Sequence, residues 1–345
     1  MIYWIDLCFW FAVGQATAAL MLALIVAQLY RRTPERSHFL LICGIVLSTT
    51  IPILSAFIAA YNYGWIAPNQ LSTLLRLFFV PFFAQTGILR VLFLIGTVCF
   101  VLLFIYGIFA SRQLIFRAKP LPDRELHEAL LKNAAVLQNM SLPILFTSDD
   151  VKTPTVWCWG LHPAILLPEQ FLSCLTAKEH DAIFLHELAH IARRDHLTAF
   201  IATICGIFLF WHPLYWIALR QSNLLADEAC DLLVLSCGSI SPDQYMETLL
   251  RFVAGETYQP PIFQFLSRKD RIMKRINTIL DFSEGNAHHS VTGRFFWKST
   301  VLTASLLLAV TLAFCQERQT PEIPKKNVSE NNVPKNNVAE NSVSE

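Results

Sequence analysis

The chain has 345 residues, of which 54% are hydrophobic and 15% charged, with a mean hydropathy of +0.44. That is too apolar for an ordinary soluble domain and too long for a single membrane anchor, so the sequence reads as an integral membrane protein with a substantial polar part. A net charge of +1 leaves no basic stripe to neutralise phosphates and argues against direct nucleic-acid binding as a main activity.

In chain order, the first apolar run reaches about Tyr30, with no positive leader region or small-residue cleavage site before it, and reads as a retained membrane helix. Further spans are expected at residues 38–60, 88–110 and 299–315, making about four transmembrane helices. Arg31, Arg32 and Arg36 follow the first span, Arg112, Arg117 and Lys119 follow the third, and Lys269, Arg271, Lys274, Arg275, Arg294 and Lys298 precede the last. The positive-inside rule puts all of these in the cytoplasm and both termini outside. Residues 66–87, aromatic and interrupted by Pro68 and Pro81, are expected along the outer interface.

The organisation expected is therefore an N-terminal membrane region (1–110), a cytoplasmic domain (111–294), a final span (295–315) and a tail (316–345) on the outer side. The tail repeats a short polar pattern (Asn327-Val-Ser-Glu, Asn332-Val-Pro-Lys, Asn337-Val-Ala-Glu) with almost nothing to bury, so disorder is expected there. The nine cysteines lie mostly in apolar stretches without a CxxC pair and read as small buried hydrophobes free of disulfides. Within the cytoplasmic region, residues 123–140 suit an amphipathic helix. Residues 143–146, 155–159 and 164–167 suit short strands separated by turn chemistry. The edge of such a sheet can hold an extended substrate, or the sheet can simply support the helix that follows.

That helix carries His186-Glu187-Leu188-Ala189-His190. One helical turn separates the two histidines, so both imidazoles reach one metal, and Glu187 lies beside the metal's water as a general base. The pattern points to zinc-dependent hydrolysis of peptide bonds. A third protein ligand is needed, and the candidates are Asp227 and Glu228 in the block Leu225-Ala-Asp-Glu-Ala-Cys-Asp231, on a helix expected at 214–237. One of the two would bind metal, with Asp231 orienting a ligand from behind. The apolar stretch 197–219 could cross a bilayer and separate the candidates from His190. Trp211-His212-Pro213 breaks it, because proline cannot continue a helix interior. An antiparallel return brings Asp227 and Glu228 to the level of Leu197 and Thr198.

These residues resemble the zinc peptidase region of BlaR/MecR-type signal transducers, metallopeptidase family 56. The resemblance covers about half of the chain through Thr153-Pro154, Gly160, Pro163-Ala-Ile-Leu-Leu-Pro168, His186 to His190, Arg194-Asp195-His196, Trp211-His212-Pro213 and Asp227 to Asp231. It implies a mainly α integral membrane protein of the bacterial inner membrane, with a cytoplasmic α+β zincin-like (gluzincin) domain binding Zn2+. It further implies a site-specific endopeptidase that cleaves itself or a cytoplasmic transcriptional repressor. The partners implied are that protein substrate and the lipid bilayer, and a homodimer is compatible with the resemblance. The family has glutamate where this chain has Asp227. Its β-lactam-sensing members carry a penicillin-binding domain after the last span, where this chain has the polar repeat. Two other functions suit the same residues: quality control of misfolded membrane proteins, and a non-catalytic transducer that binds a partner.

Overall fold

The computed structural model describes residues 2–62, 87–121, 124–137, 142–151, 154–159, 162–169, 176–255 and 268–285. Among the described residues, three helices come first: α1 (Ile2–Leu29), α2 (Pro34–Asn62) and α3 (Gly87–Arg117). Their stretches Phe11–Leu29, Pro34–Ser55 and Val91–Arg117 are long and apolar enough to cross a membrane, at the positions the hydropathy pattern predicts. The expected fourth span, the interfacial segment and the polar tail lie outside the described residues.

Among the described residues a four-stranded sheet and six helices follow: β1 (Lys119–Pro120), α4 (Arg124–Leu137), β2 (Ile144–Thr147), β3 (Thr155–Trp159), β4 (His162–Leu167), α5 (Ala177–Arg193), α6 (Asp195–Leu209), α7 (Pro213–Ser236), α8 (Pro242–Gly255) and α9 (Arg268–Ser283). The strand order is β1-β2-β4-β3, with β2 parallel to β4 and the other pairs antiparallel. The two-residue β1 is too short to carry a periodic signal, and the sequence did not suggest it. β3 ends the sheet.

Helix α5 starts with a capping box. The Thr176 side chain accepts from the Glu179 amide, and the Glu179 carboxylate accepts from the Thr176 amide at 2.8 Å. Two faces of α5 are buried. Ile183, Phe184, Leu188 and Ile191 pack on Leu145, Ile165 and Leu167 of the sheet and on Leu126, Leu130 and Ala134 of α4. Ala182, Leu185 and Ala189 pack on Cys230, Val234 and Leu235 of α7, with Tyr245, Leu249 and Ile279 closing that core from α8 and α9. The face between them carries His186, Glu187 and His190.

The α6–α7 pair is a hairpin. Pro213 occupies the first turn of α7 and the His212 side chain accepts from the Leu214 amide, so the proline starts a helix here instead of interrupting one. The hairpin packs Cys205, Leu209, Tyr215, Ala218 and Leu225 against Ala16, Leu20, Ala23 and Ala27 of α1 and Leu41 and Ile45 of α2. Small residues bring α1 and α2 close together beneath it: a Cβ on Gly44 of α2 would overlap that of Ala23 of α1. Helix α3 touches the hairpin through Phe93, Phe100 and Phe104 and otherwise leaves residues such as Leu103 (65%) and Tyr106 (70%) exposed, a surface suited to lipid. Among the described cysteines, Cys43, Cys99, Cys205, Cys230 and Cys237 are free thiols.

Candidate metal centre

The side chains of His186 and His190 stand edge to face, ring centroids 4.8 Å apart, as expected one turn apart on α5. The hairpin brings α7 back beside them, so ligand atoms of His186, His190 and Asp227 all lie within 4.8 Å of one another. The return register differs from the count made along straight helices. Asp227 reaches His190, while Ser222, five residues earlier, shares His38 with Thr198. The chain bends at Arg194, which caps α5 in the left-handed conformation (φ 60°) before α6 begins.

That bend has a chemical consequence. It folds Asp195 back onto the helix just completed, where its Oδ2 lies 2.9 Å from His190 Nδ1 and accepts from Arg193 Nε at 3.2 Å. Burial would raise the Asp195 carboxyl, but these partners outweigh it and hold it well below the usual carboxylate range. The Cys230 thiol lies 3.3 Å from the same His190 nitrogen, and burial pushes it up to about 11, so it is a neutral thiol at neutral pH. A second group of metal-ligating types, His190, Asp195 and Cys230, is thus also a hydrogen-bonded brace for one imidazole.

His186 is braced in parallel. Asp231, wholly buried, lies 3.2 Å from His186 Nδ1 and accepts from Tyr245 Oη at 2.6 Å. Arg275 of α9 grips it with both donors, Nε to Oδ2 at 2.7 Å and Nη2 to Oδ1 at 2.6 Å. Burial opposes ionisation of Asp231, yet the Arg275 guanidinium dominates and keeps it a carboxylate. Both histidines therefore have Nδ1 engaged by a buried carboxylate, with Tyr245 Oη also 3.0 Å from that of His186, and Nε2 is the nitrogen each turns away from its carboxylate; Arg275 Nη2 lies 3.5 Å from His186 Nε2. His190 Nε2 lies 3.6 Å from Asp227 Oδ1. Tetrahedral zinc with bonds of about 2.0–2.1 Å sets neighbouring donors roughly 3.3 Å apart, so this pair is spaced as two ligands of such an ion, and the three residues together could hold a metal.

Glu187, adjacent on the helix, has its carboxyl raised by burial, with the two imidazoles opposing. Glu228 is not in the ligand cluster. It is 9% exposed, and its carboxyl is pushed up to about 7 by burial and by Asp231, against Lys274 and Arg31. Neighbours on a helix point about 100° apart, and here the shorter Asp227 is the one turned to the histidines. Sequence reasoning missed the roles of Asp195, Tyr245 and Arg275. A carboxylate five residues beyond the second histidine of HExxH is a readable hint, whereas Tyr245 and Arg275 arrive from later helices and leave no local signal.

A family model described as BlaR1 peptidase M56 matches residues 10–279, nearly the whole described structure. The chain belongs to this family. A curated relative, the regulatory protein BlaR1 of Bacillus licheniformis, is 24% identical over 196 residues, which cover 54% of this chain and 31% of that protein. The chain thus matches about a third of that relative's length.

Proposed function

We propose that the protein is a membrane-embedded zinc endopeptidase of gluzincin type, acting in signal transduction by cleaving itself or a cytoplasmic transcriptional repressor. The observation that carries this reading is the convergence of His186, His190 and Asp227 on the one face of α5 that also bears Glu187. Family membership and the regulatory role named for the Bacillus relative support it. The arginines after α1 and α3 support a cytoplasmic peptidase domain in a multi-pass protein of the bacterial inner membrane.

Zinc bound by His186, His190 and Asp227 would supply Lewis acidity, lowering the pKa of a water and polarising the scissile carbonyl. Glu187 would serve as the general base toward a water in the site and return the proton to the leaving amine, a role helped by burial that raises its own proton affinity. Asp231 and Asp195 hold the histidines in the tautomer with Nδ1 protonated. β3, at the sheet edge beside α5, offers backbone on which an extended peptide can be laid.

Glu187→Gln tests the reading, because the amide neither accepts nor returns the proton. Zinc content should stay near the wild-type value while self-cleavage and cleavage of a co-expressed repressor disappear. Continued cleavage by this variant would refute the assigned base.

A further inference from the structure

The two elements that must be held in register to make the metal centre are the α5–α6 corner, which orients His190 through Asp195, and α7, which carries Asp227. A third helix bridges them. His38, in the first turns of α2, is 5% exposed, and its Nδ1 lies 2.9 Å from both the carbonyl oxygen and Oγ of Ser222 on α7. The other ring nitrogen, Nε2, faces the corner, 3.4 Å from Thr198 Oγ1 and 3.9 Å from Asp195 Oδ1. Thr198 in turn donates to the Asp195 carbonyl at 2.9 Å.

Asp195 uses its oxygens unequally. His190, Arg193 and Cys230 all approach Oδ2, and His38 approaches Oδ1. One turn earlier on the same face of α2, Glu35 lies 4.0 Å from Arg193 Nη1, and Arg193 donates to Asp195. One apolar helix thus places His38 against the carboxylate that braces His190 and Glu35 against the arginine that donates to that carboxylate, and His38 also grips the helix of the third ligand.

We propose that His38 is a positioning residue of the metal centre, tying the Asp227 helix to the Asp195–His190 pair so that a displacement of α2 changes the metal geometry. The proposal rests on the reading of His186, His190 and Asp227 as the metal site. The physical lever is short range: a shift of α2 by about an ångström takes a 2.9 Å hydrogen bond beyond useful length, and a hydrogen bond is lost past roughly 3.5 Å. Helix shifts of about 1–2 Å are an ordinary amplitude for switching proteins. Since α2 is long and apolar enough to span a membrane, this bridge is a route by which an event in the bilayer reaches the zinc ligands.

The test uses the full chain in detergent, with His38→Leu, which keeps the volume and removes the polar bridge, and His38→Gln, whose amide reaches toward the position of Nε2. Two quantities are read: zinc affinity by chelator competition, and the visible spectrum of the cobalt(II)-substituted protein, which reports ligand geometry. We expect His38→Leu to bind zinc about tenfold more weakly, the low end for outer partners of a metal ligand, with an altered cobalt band. His38→Gln should recover most of both. A purely structural His38 would change the melting temperature of His38→Leu and leave affinity within twofold and the cobalt band unchanged, which overturns the proposal. Equal losses in the leucine and glutamine variants overturn it as well. A wild-type chain that takes up neither metal instead refutes the metal site itself, separating the two failures.

Discussion

Asp227 and Glu228 are adjacent acids with different fates in the fold, and their alanine variants should separate cleanly. Asp227 Oδ1 lies 3.6 Å from His190 Nε2, a separation suited to two ligands of one zinc. Glu228 is turned away, buried, and held with its carboxyl near a pKa of about 7. Four-ligand structural zinc sites in small peptides bind with about 10–16 kcal/mol, so one ligand is worth roughly 3 kcal/mol, more than a hundredfold in affinity. Asp227→Ala should therefore weaken zinc binding by at least about a hundredfold, and Glu228→Ala by no more than about threefold. Asp227→Glu should retain the metal, because the family resemblance has glutamate at this position. Chelator competition on detergent-solubilised protein, with zinc content measured after dialysis, reads all three. Retention of zinc by Asp227→Ala together with its loss from Glu228→Ala would overturn the assignment and the register of α7 on which it depends.

Arg275→Met leaves the Asp231 carboxylate buried beside His186 without its cation, and breaking a buried pair by removing one partner costs about 3–5 kcal/mol. A large fall in melting temperature should follow, and adding Asp231→Asn should restore part of it; a wild-type melting curve for the single variant would show that the pair contributes nothing. Thr176→Ala removes the capping box of α5 and should destabilise the protein by about 1 kcal/mol at neutral pH. The Glu179 carboxyl is lowered by its hydrogen bonds to Thr176, so its contribution is present above the ordinary glutamate pKa and is lost as pH falls through the lowered one. The difference between wild type and Thr176→Ala should accordingly shrink in acid, and a difference that stays constant to low pH would count against the box. For topology, a membrane-impermeant thiol reagent applied to intact cells should label a cysteine introduced at Ser344 and miss one introduced at Lys178; the opposite pattern would invert the orientation read from the arginines.

How much of this was legible in the sequence depended on the range of the interactions involved. The HExxH helix, the break at Pro213 and the strands around Ile144, Thr155 and Ile165 follow from local periodicity and turn chemistry, and the structure has them within a few residues of expectation. The first three spans follow from hydropathy in the same way. The neighbours of α7 did not follow from a straight-rod count, since Asp227 meets His190 and Ser222 shares His38 with Thr198, and nothing in an Arg-Arg-Asp string announces the φ of 60° at Arg194. Arginine carries a Cβ penalty there that glycine would avoid, roughly 1–2 kcal/mol. The compensation is visible in the product of the bend, the Asp195–His190 contact.

The carboxylate braces explain why the site draws on so many parts of the chain. An HExxH helix alone supplies two imidazoles that can rotate and change tautomer. Each becomes a directed ligand only when Nδ1 is engaged, and here the engaging groups are clamped from elsewhere: Asp195 by Arg193 and the first turns of α2, Asp231 by Tyr245 of α8 and Arg275 of α9. The two clamps differ in kind. Asp231 is sealed by a bidentate ion pair at 2.6–2.7 Å inside a packed core, an arrangement that resists small movements. Asp195 meets α2 at 3.9 Å through His38 and, by way of Arg193, at 4.0 Å through Glu35, distances that a small helix displacement can make or break. If one half of the metal centre is fixed and the other adjustable, the adjustable half is His190, on the side where the apolar helices meet the peptidase fold.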